Sequence, residues 1–170
     1  FDYQSFHNTA GGIMGHTSNS DGLAFSQTSF DALWNSIYLG EVADLDEYIK
    51  SASATNEAGE YLTPGALGIG EGMKAFIFTT MVDMFGPVPY SESSMGNDDA
   101  NVNPKYDDEV EIYTSCLSLL DSAVVHFAAS TSDPQGDLIY GGNMASWTKA
   151  AHSIKLKVLM NARYAPGFSY

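Results

Sequence analysis

A chain of 170 residues, 44% of them hydrophobic, is long enough to bury one core of ordinary size, so one domain is the expectation. Twenty-one acidic residues against seven basic ones leave a formal charge of -14, which repels a phosphate backbone and excludes nucleic acid as a partner. The single cysteine, Cys116, rules out an internal disulfide and, set among apolar neighbours in "IYTSCLSLL", reads as a small core residue.

No run of sequence approaches the roughly 18 apolar residues that a membrane-spanning helix needs. The chain starts at Phe1 without a signal-peptide pattern, so any targeting segment is expected to lie outside it. Residues 1–28 mix Gly, Ser, Asn and His with scattered aromatics and show no lasting period, which predicts an irregular, exposed segment. From residue 29 onward the pattern is helical. "SFDALWNSIYLGEVADLDEYIKSA" puts Phe30, Leu33, Trp34, Ile37, Val42, Leu45 and Ile49 on one face, with Gly40 as the point where an interruption is expected.

Thr63-Pro64 reads as a cap followed by a first-turn proline. Gly65, Gly68, Gly70 and Gly72 then predict a loose helix start before "MKAFIFTTMVDMF". The stop at "DMFGPVPYSE" has a chemical cause. Gly86 can adopt the left-handed conformation that ends a helix, Pro87 cannot continue one, and the residue before Pro89 is pushed toward extended geometry, which presents Tyr90 on an extended arm. The polar stretch that follows, through "SSMGNDDANVNPKY", is longer than most loops of compact domains.

A further helix is signalled from near Asp107, where Tyr113, Cys116, Leu117, Leu120, Val124 and Phe127 recur at three- and four-residue steps. Asp108 and Glu111 match a capping box, and acidic residues suit the positive end of the helix dipole. The last helix, "MASWTKAAHSIKLKVLMNARY", carries Trp147, Ala151, Ile154, Leu156, Val158 and Leu159, with its cations toward the C-terminal half.

Motifs for chemistry are weak throughout. The glycines of "GALGIGEGMK" fit neither phosphate-binding spacing, and His7, His16, His126 and His152 never fall in a metal-binding spacing, so no metal or cofactor is implied. "GNDDANVN" lacks the glutamate that closes a calcium loop, and Cys116 sits mid-helix on an apolar stripe, where it is no nucleophile. Asp83 and Glu92 could be set as a glycosidase pair, which needs two carboxylates about 5 to 10 Å apart, but a helix-end Asp and a loop Glu are commonplace. The structural reading of the stop, with Tyr90 packed across a neighbouring helix end, outweighs that reading and outweighs a contact surface for a partner. Trp34 and Trp147 fall at helical core positions. Sugar binding needs flat aromatic faces and a few amides on loops, which makes Tyr3, Phe6, Asn8, His16, Asn19 and Phe25 the candidate ligand residues.

Three ordered blocks carry a family resemblance. "MVDMFGPVPYSES" supplies Asp83, Gly86, Val88, Pro89, Tyr90 and Glu92; "NPKYDDEVEIY" supplies Pro104, Lys105, Tyr106 and Asp107; "DLIYGGNMASWTKAAHSIK" supplies Asp137, Tyr140, Gly141, Trp147 and Lys149. Together, over roughly Trp34 to Arg163, they resemble the SusD/RagB family of nutrient-binding lipoproteins. Pro87 replaces the family's usual Asp or Asn, and His152 replaces a common Asn; the turn chemistry is kept in both places.

The resemblance implies an all-α fold of tetratricopeptide-like helix pairs with long irregular loops, of which residues 1–170 would be a fragment of a single, larger SusD-like domain. Residues 1–28 would be its irregular segment and 29–170 its helical portion. It also implies a non-enzymatic lipoprotein on the outer face of the outer membrane, held by a lipid anchor outside this stretch. Such a protein captures an oligosaccharide, in some relatives a peptide, and passes it to a SusC-like TonB-dependent transporter. The competing readings are a glycan-hydrolase accessory domain and a helical-repeat scaffold that binds only protein.

Overall fold

The computed structural model describes residues 30–93, 101 and 103–170. The six ligand candidates between Tyr3 and Phe25 lie outside the described residues. The chain divides into two compact units, residues 1–41 and 42–170.

In the first unit, α1 runs Asp31–Ser36 and leads into a π-helical stretch, Ile37–Val42, whose last residue opens the second unit. The interruption expected at Gly40 is therefore a widened turn rather than a break, since Gly40 sits inside the π stretch. Trp34 is half-buried, with its ring centroid 4.9 Å from that of Tyr38.

The second unit is built from α2 (Ala43–Ala52), α3 (Pro64–Phe85), α4 (Glu109–Ala129) and α5 (Met144–Ala162). Contacts fix how these helices run. Lys74 pairs with Asp46 while Gly70 lies against Ile49, so α2 and α3 are antiparallel. Glu71 meets His126 and Asp83 meets Tyr113, so α3 and α4 are antiparallel; Lys155 meets Asp121 while Trp147 meets Phe127, so α4 and α5 are too. The result is a run of helical hairpins with no strand among the described residues.

The central helix is α3, which touches α2, α4 and α5. It is apolar nearly all round, the pattern of a helix enclosed by others. Its own Phe78 and Met81, with Ile112, Leu117 and Leu120 of α4, are the most deeply buried large side chains, each contributing about 1.5 to 3 kcal/mol by leaving water. Cys116 is fully buried beside them. By length and composition α4 could cross a membrane, contrary to the reading of the sequence, but Ile112, Leu117, Leu120 and Phe127 are spent on this core.

The glycines of α3 are not a loose start. The helix is regular from Pro64, and three of the four glycines mark close approach. A Cβ at Gly68 would stand 2.7 Å from the Phe127 ring and 2.9 Å from the Ala123 carbonyl oxygen. A Cβ at Gly70 would meet Ile49 at 2.7 Å. The sequence showed the helix-weakening residue; what it bought was contact with two neighbouring helices.

Candidate functional site

Two corners hold the second unit's loops, and both use residues of the recognised blocks. At the first, α3 ends on Gly86 with φ 71° and ψ -131°. The positive φ agrees with the sequence, although the ψ value makes a sharp mirror-extended corner rather than a left-handed helical cap. Val88, now buried, pairs with Asp107, whose N–H donates to the Val88 carbonyl at 3.0 Å. Asp107 then closes the loop from seventeen residues away: its carboxylate accepts from the backbone of Tyr90 (2.9 Å) and Ser91 (2.7 Å), from the Ser91 hydroxyl, and from Lys105 at 3.1 Å. Burial alone would raise this carboxyl; the Ser91 and Tyr90 N–H groups, the Ser91 hydroxyl and Lys105 bring it down to about 2.

Tyr90 packs on the helices, as the structural reading of the stop expects. Its ring stands edge-on to Phe78 at 4.7 Å, half-buried, and burial pushes its phenol well above the ordinary tyrosine range. The ring it meets lies on α3, the helix that this corner ends. Pro89 is buried, Pro104 is half-buried and Tyr106 is exposed.

The second corner precedes α5. Asp137 accepts from the backbone of Ile139, Tyr140 and Gly142 and from the Trp147 indole N–H at 2.7 Å. Tyr140 in turn stands edge-on to Trp147 at 5.0 Å. The Asn143 side chain caps α5 by accepting from the Ser146 N–H, as the Asp108 side chain caps α4 by accepting from Val110. Asp137 was named only as a block residue; its run Asp-x-x-Tyr-Gly-Gly ahead of an Asn cap was the signal of a side-chain-closed turn.

Asp83 ties three helices. One oxygen accepts from the Tyr113 hydroxyl at 2.6 Å, the other from Lys157 at 2.6 Å and Asn161 at 2.8 Å. Glu92 accepts from the Asn101 amide and the Lys105 backbone. Both carboxylates that could have been set as a hydrolytic pair thus carry structural bonds. His126 and Glu71 form a further pair at 2.8 Å between α4 and α3, with Tyr61 edge-on to the imidazole, and burial raises the Glu71 carboxyl. Burial likewise pushes the Cys116 thiol up to about 12, far from a thiolate nucleophile.

Open cavities on the surface of this unit include two lined by described residues. One, of about 500 Å3, lies at Asp83, Gly86, Tyr113, Asn161 and Tyr164. The other, of about 600 Å3, is an apolar groove between α3 and α5, lined by Met73, Phe76, Ile77, Tyr140, Trp147 and Lys149 among others. Phe76 is 49% exposed and Tyr140 42%, so aromatic faces remain available to a ligand there. Neither cavity was visible in the sequence, because each is assembled from helices that are distant in the chain.

Successive antiparallel helices braced at their corners define an all-α scaffold of tetratricopeptide-like pairs. The chain belongs to the SusD-like family described as starch-binding and associating with the outer membrane, whose sequence pattern it matches over residues 4–164. A chitin-binding protein of known structure superposes with a TM-score of 0.72 at 28% identity over 84% of this chain. A SusD homologue from Bacteroides fragilis NCTC 9343 gives 0.60 at 27% identity over 76%, and an outer-membrane protein from Bacteroides vulgatus ATCC 8482, linked by its description to nutrient binding, gives 0.58 at 25% over 73%. The chain spans only 29%, 26% and 25% of the length of those three. Among curated proteins none matches the chain.

Proposed function

We propose that this chain serves a cell-surface protein that captures a nutrient, an oligosaccharide, and hands it to a TonB-dependent transporter of the SusC type without altering it. The observation that carries the reading is the family match over residues 4–164, with its starch-binding, outer-membrane description. The chitin-binding neighbour favours the same ligand class. Attachment through a lipid anchor, an extracellular address and the ligand role of Tyr3, Phe6, Asn8, His16, Asn19 and Phe25 belong to this proposal. So does the absence of catalysis, which the engagement of Asp83 and Glu92 in structural bonds supports.

The test is calorimetry of the protein in its full natural length against a panel of oligosaccharides, with product lengths read by mass spectrometry. Shallow sugar contacts lose much of their gain to desolvated hydroxyls, so dissociation constants in the micromolar to millimolar range are expected, about -8 to -4 kcal/mol. Unchanged oligosaccharide lengths are expected beside them. Shortening that vanishes in Asp83→Ala or Glu92→Ala would replace capture with hydrolysis, and firm binding of peptides alone would change the ligand class.

A further inference from the structure

Lys149 is an anomaly of charge. In a chain with 21 acidic and seven basic residues, carboxylates far outnumber cations. Lys50 has Glu47, Lys74 has Asp46, Lys105 has Asp107, Lys155 has Asp121 and Lys157 has Asp83, while Arg163 lies over the Tyr164 ring. Among the described residues Lys149 alone has neither a carboxylate nor a ring. It is exposed, and it lines the 600 Å3 groove between α3 and α5.

That groove has two unlike walls. Met73, Phe76 and Ile77 of α3 form an apolar one. On α5, Ser146, Lys149 and Ser153 follow one another at three- and four-residue steps beside the apolar Trp147, Ala150 and Ile154, which places a polar stripe along one edge of the opening. Tyr140 also lines the opening, its ring held edge-on against Trp147, which lowers the cost of ordering it for a ligand. Asp137, the carboxylate of the corner that precedes α5, is already taken by the Trp147 indole and three backbone N–H groups. It leaves Lys149 unanswered.

We propose that this groove is a subsite for an oligosaccharide that carries a carboxylate: a uronic acid unit lies with its ring face on Phe76 and Tyr140 and its carboxylate on Lys149. The inference rests on the capture reading above and goes beyond it by naming the ligand class and the place. An alkyl chain would fill the apolar wall but strip water from Ser146 and Ser153 without replacing it. The Ser153 hydroxyl donates to the Lys149 carbonyl, which leaves its oxygen to accept from a sugar hydroxyl. A single lysine matches a single carboxylate. A densely charged polyanion would meet the net -14 of the chain and be repelled.

The probe pair is an aldotriouronic acid, a trisaccharide of two xylose units and one glucuronic acid, against xylotriose, titrated calorimetrically into the full-length protein at low and high salt. The acidic trimer is expected to bind at least about tenfold tighter at low salt, as one charge-assisted hydrogen bond provides, with the advantage shrinking as salt screens it. Lys149→Met should bring the acidic trimer down to the affinity of the neutral one, and Lys149→Arg should keep the preference. Lys149 is exposed, so unchanged thermal melting of both variants separates a binding loss from misfolding. Neutral and acidic trimers bound equally, or a preference that survives Lys149→Met, overturns the subsite and leaves capture intact. Binding of no oligosaccharide at all overturns both.

Discussion

The indole N–H of Trp147 donates to Asp137 at 2.7 Å, and this bond locks the last loop onto the helix that follows it. Trp147 is 5% exposed and stacks at 6.3 Å on Phe127, so it anchors α5 to α4 as well. Trp147→Ala is expected to cost about 3 to 5 kcal/mol in denaturant melting. Trp147→Phe, which keeps a ring and removes the donor, is expected to cost about 1 to 3 kcal/mol. A loss below about 1 kcal/mol for the alanine variant would put the ring at the surface and undo the anchor.

The glycines of α3 make opposite predictions within one helix. At Gly68 a methyl group would press into Phe127 and the Ala123 carbonyl, and Gly68→Ala should destabilise by about 1 to 3 kcal/mol despite alanine's better helix propensity. Nothing lies within 4 Å of a Cβ at Gly72, so Gly72→Ala should stabilise by about 0.5 to 1 kcal/mol. Two melting curves decide it, and equal signs would refute the close-approach account.

Gly86 is constrained by dihedral rather than space. The closest atom to a Cβ there is Glu109 Oε2 at 3.5 Å, an ordinary contact, whereas φ 71° with ψ -131° is closed to side chains. Gly86→Val should therefore cost about 1 to 3 kcal/mol, and Gly86→Ala should lose a comparable amount. An alanine variant as stable as the parent would show that this corner does not need glycine.

Asp107 predicts an acid-labile loop. Its carboxyl is held at about 2 in the folded chain against an ordinary 3.8, so its stabilisation is fully present above about 4 and is lost as pH falls toward 2. Asp107→Asn should lower stability at neutral pH and flatten the stability curve between those values, because the amide cannot titrate and cannot accept all four donors. Chemical denaturation of both proteins at several pH values measures this. Parallel curves for the two would remove Asp107 as the source.

By itself the sequence determined where the helices run. Pro64, the Asp108 cap and the three- and four-residue apolar spacing act within a few residues, and α3, α4 and α5 begin and end close to where those signals fall. The three ordered blocks also carried the family, since a corner such as Gly-Pro-x-Pro-Tyr leaves its mark in consecutive residues. Tertiary structure decided the rest. Asp83 meets Asn161 across 78 positions and Glu71 meets His126 across 55, and no local pattern announces such a partner. Whether a glycine loosens a helix or admits a neighbour, whether Tyr90 points out or folds back on Phe78, and whether Lys149 finds a carboxylate all depend on which helix lies alongside. That is set by the packing of distant apolar faces, so the groove at Lys149 came into view only when α3 and α5 were side by side.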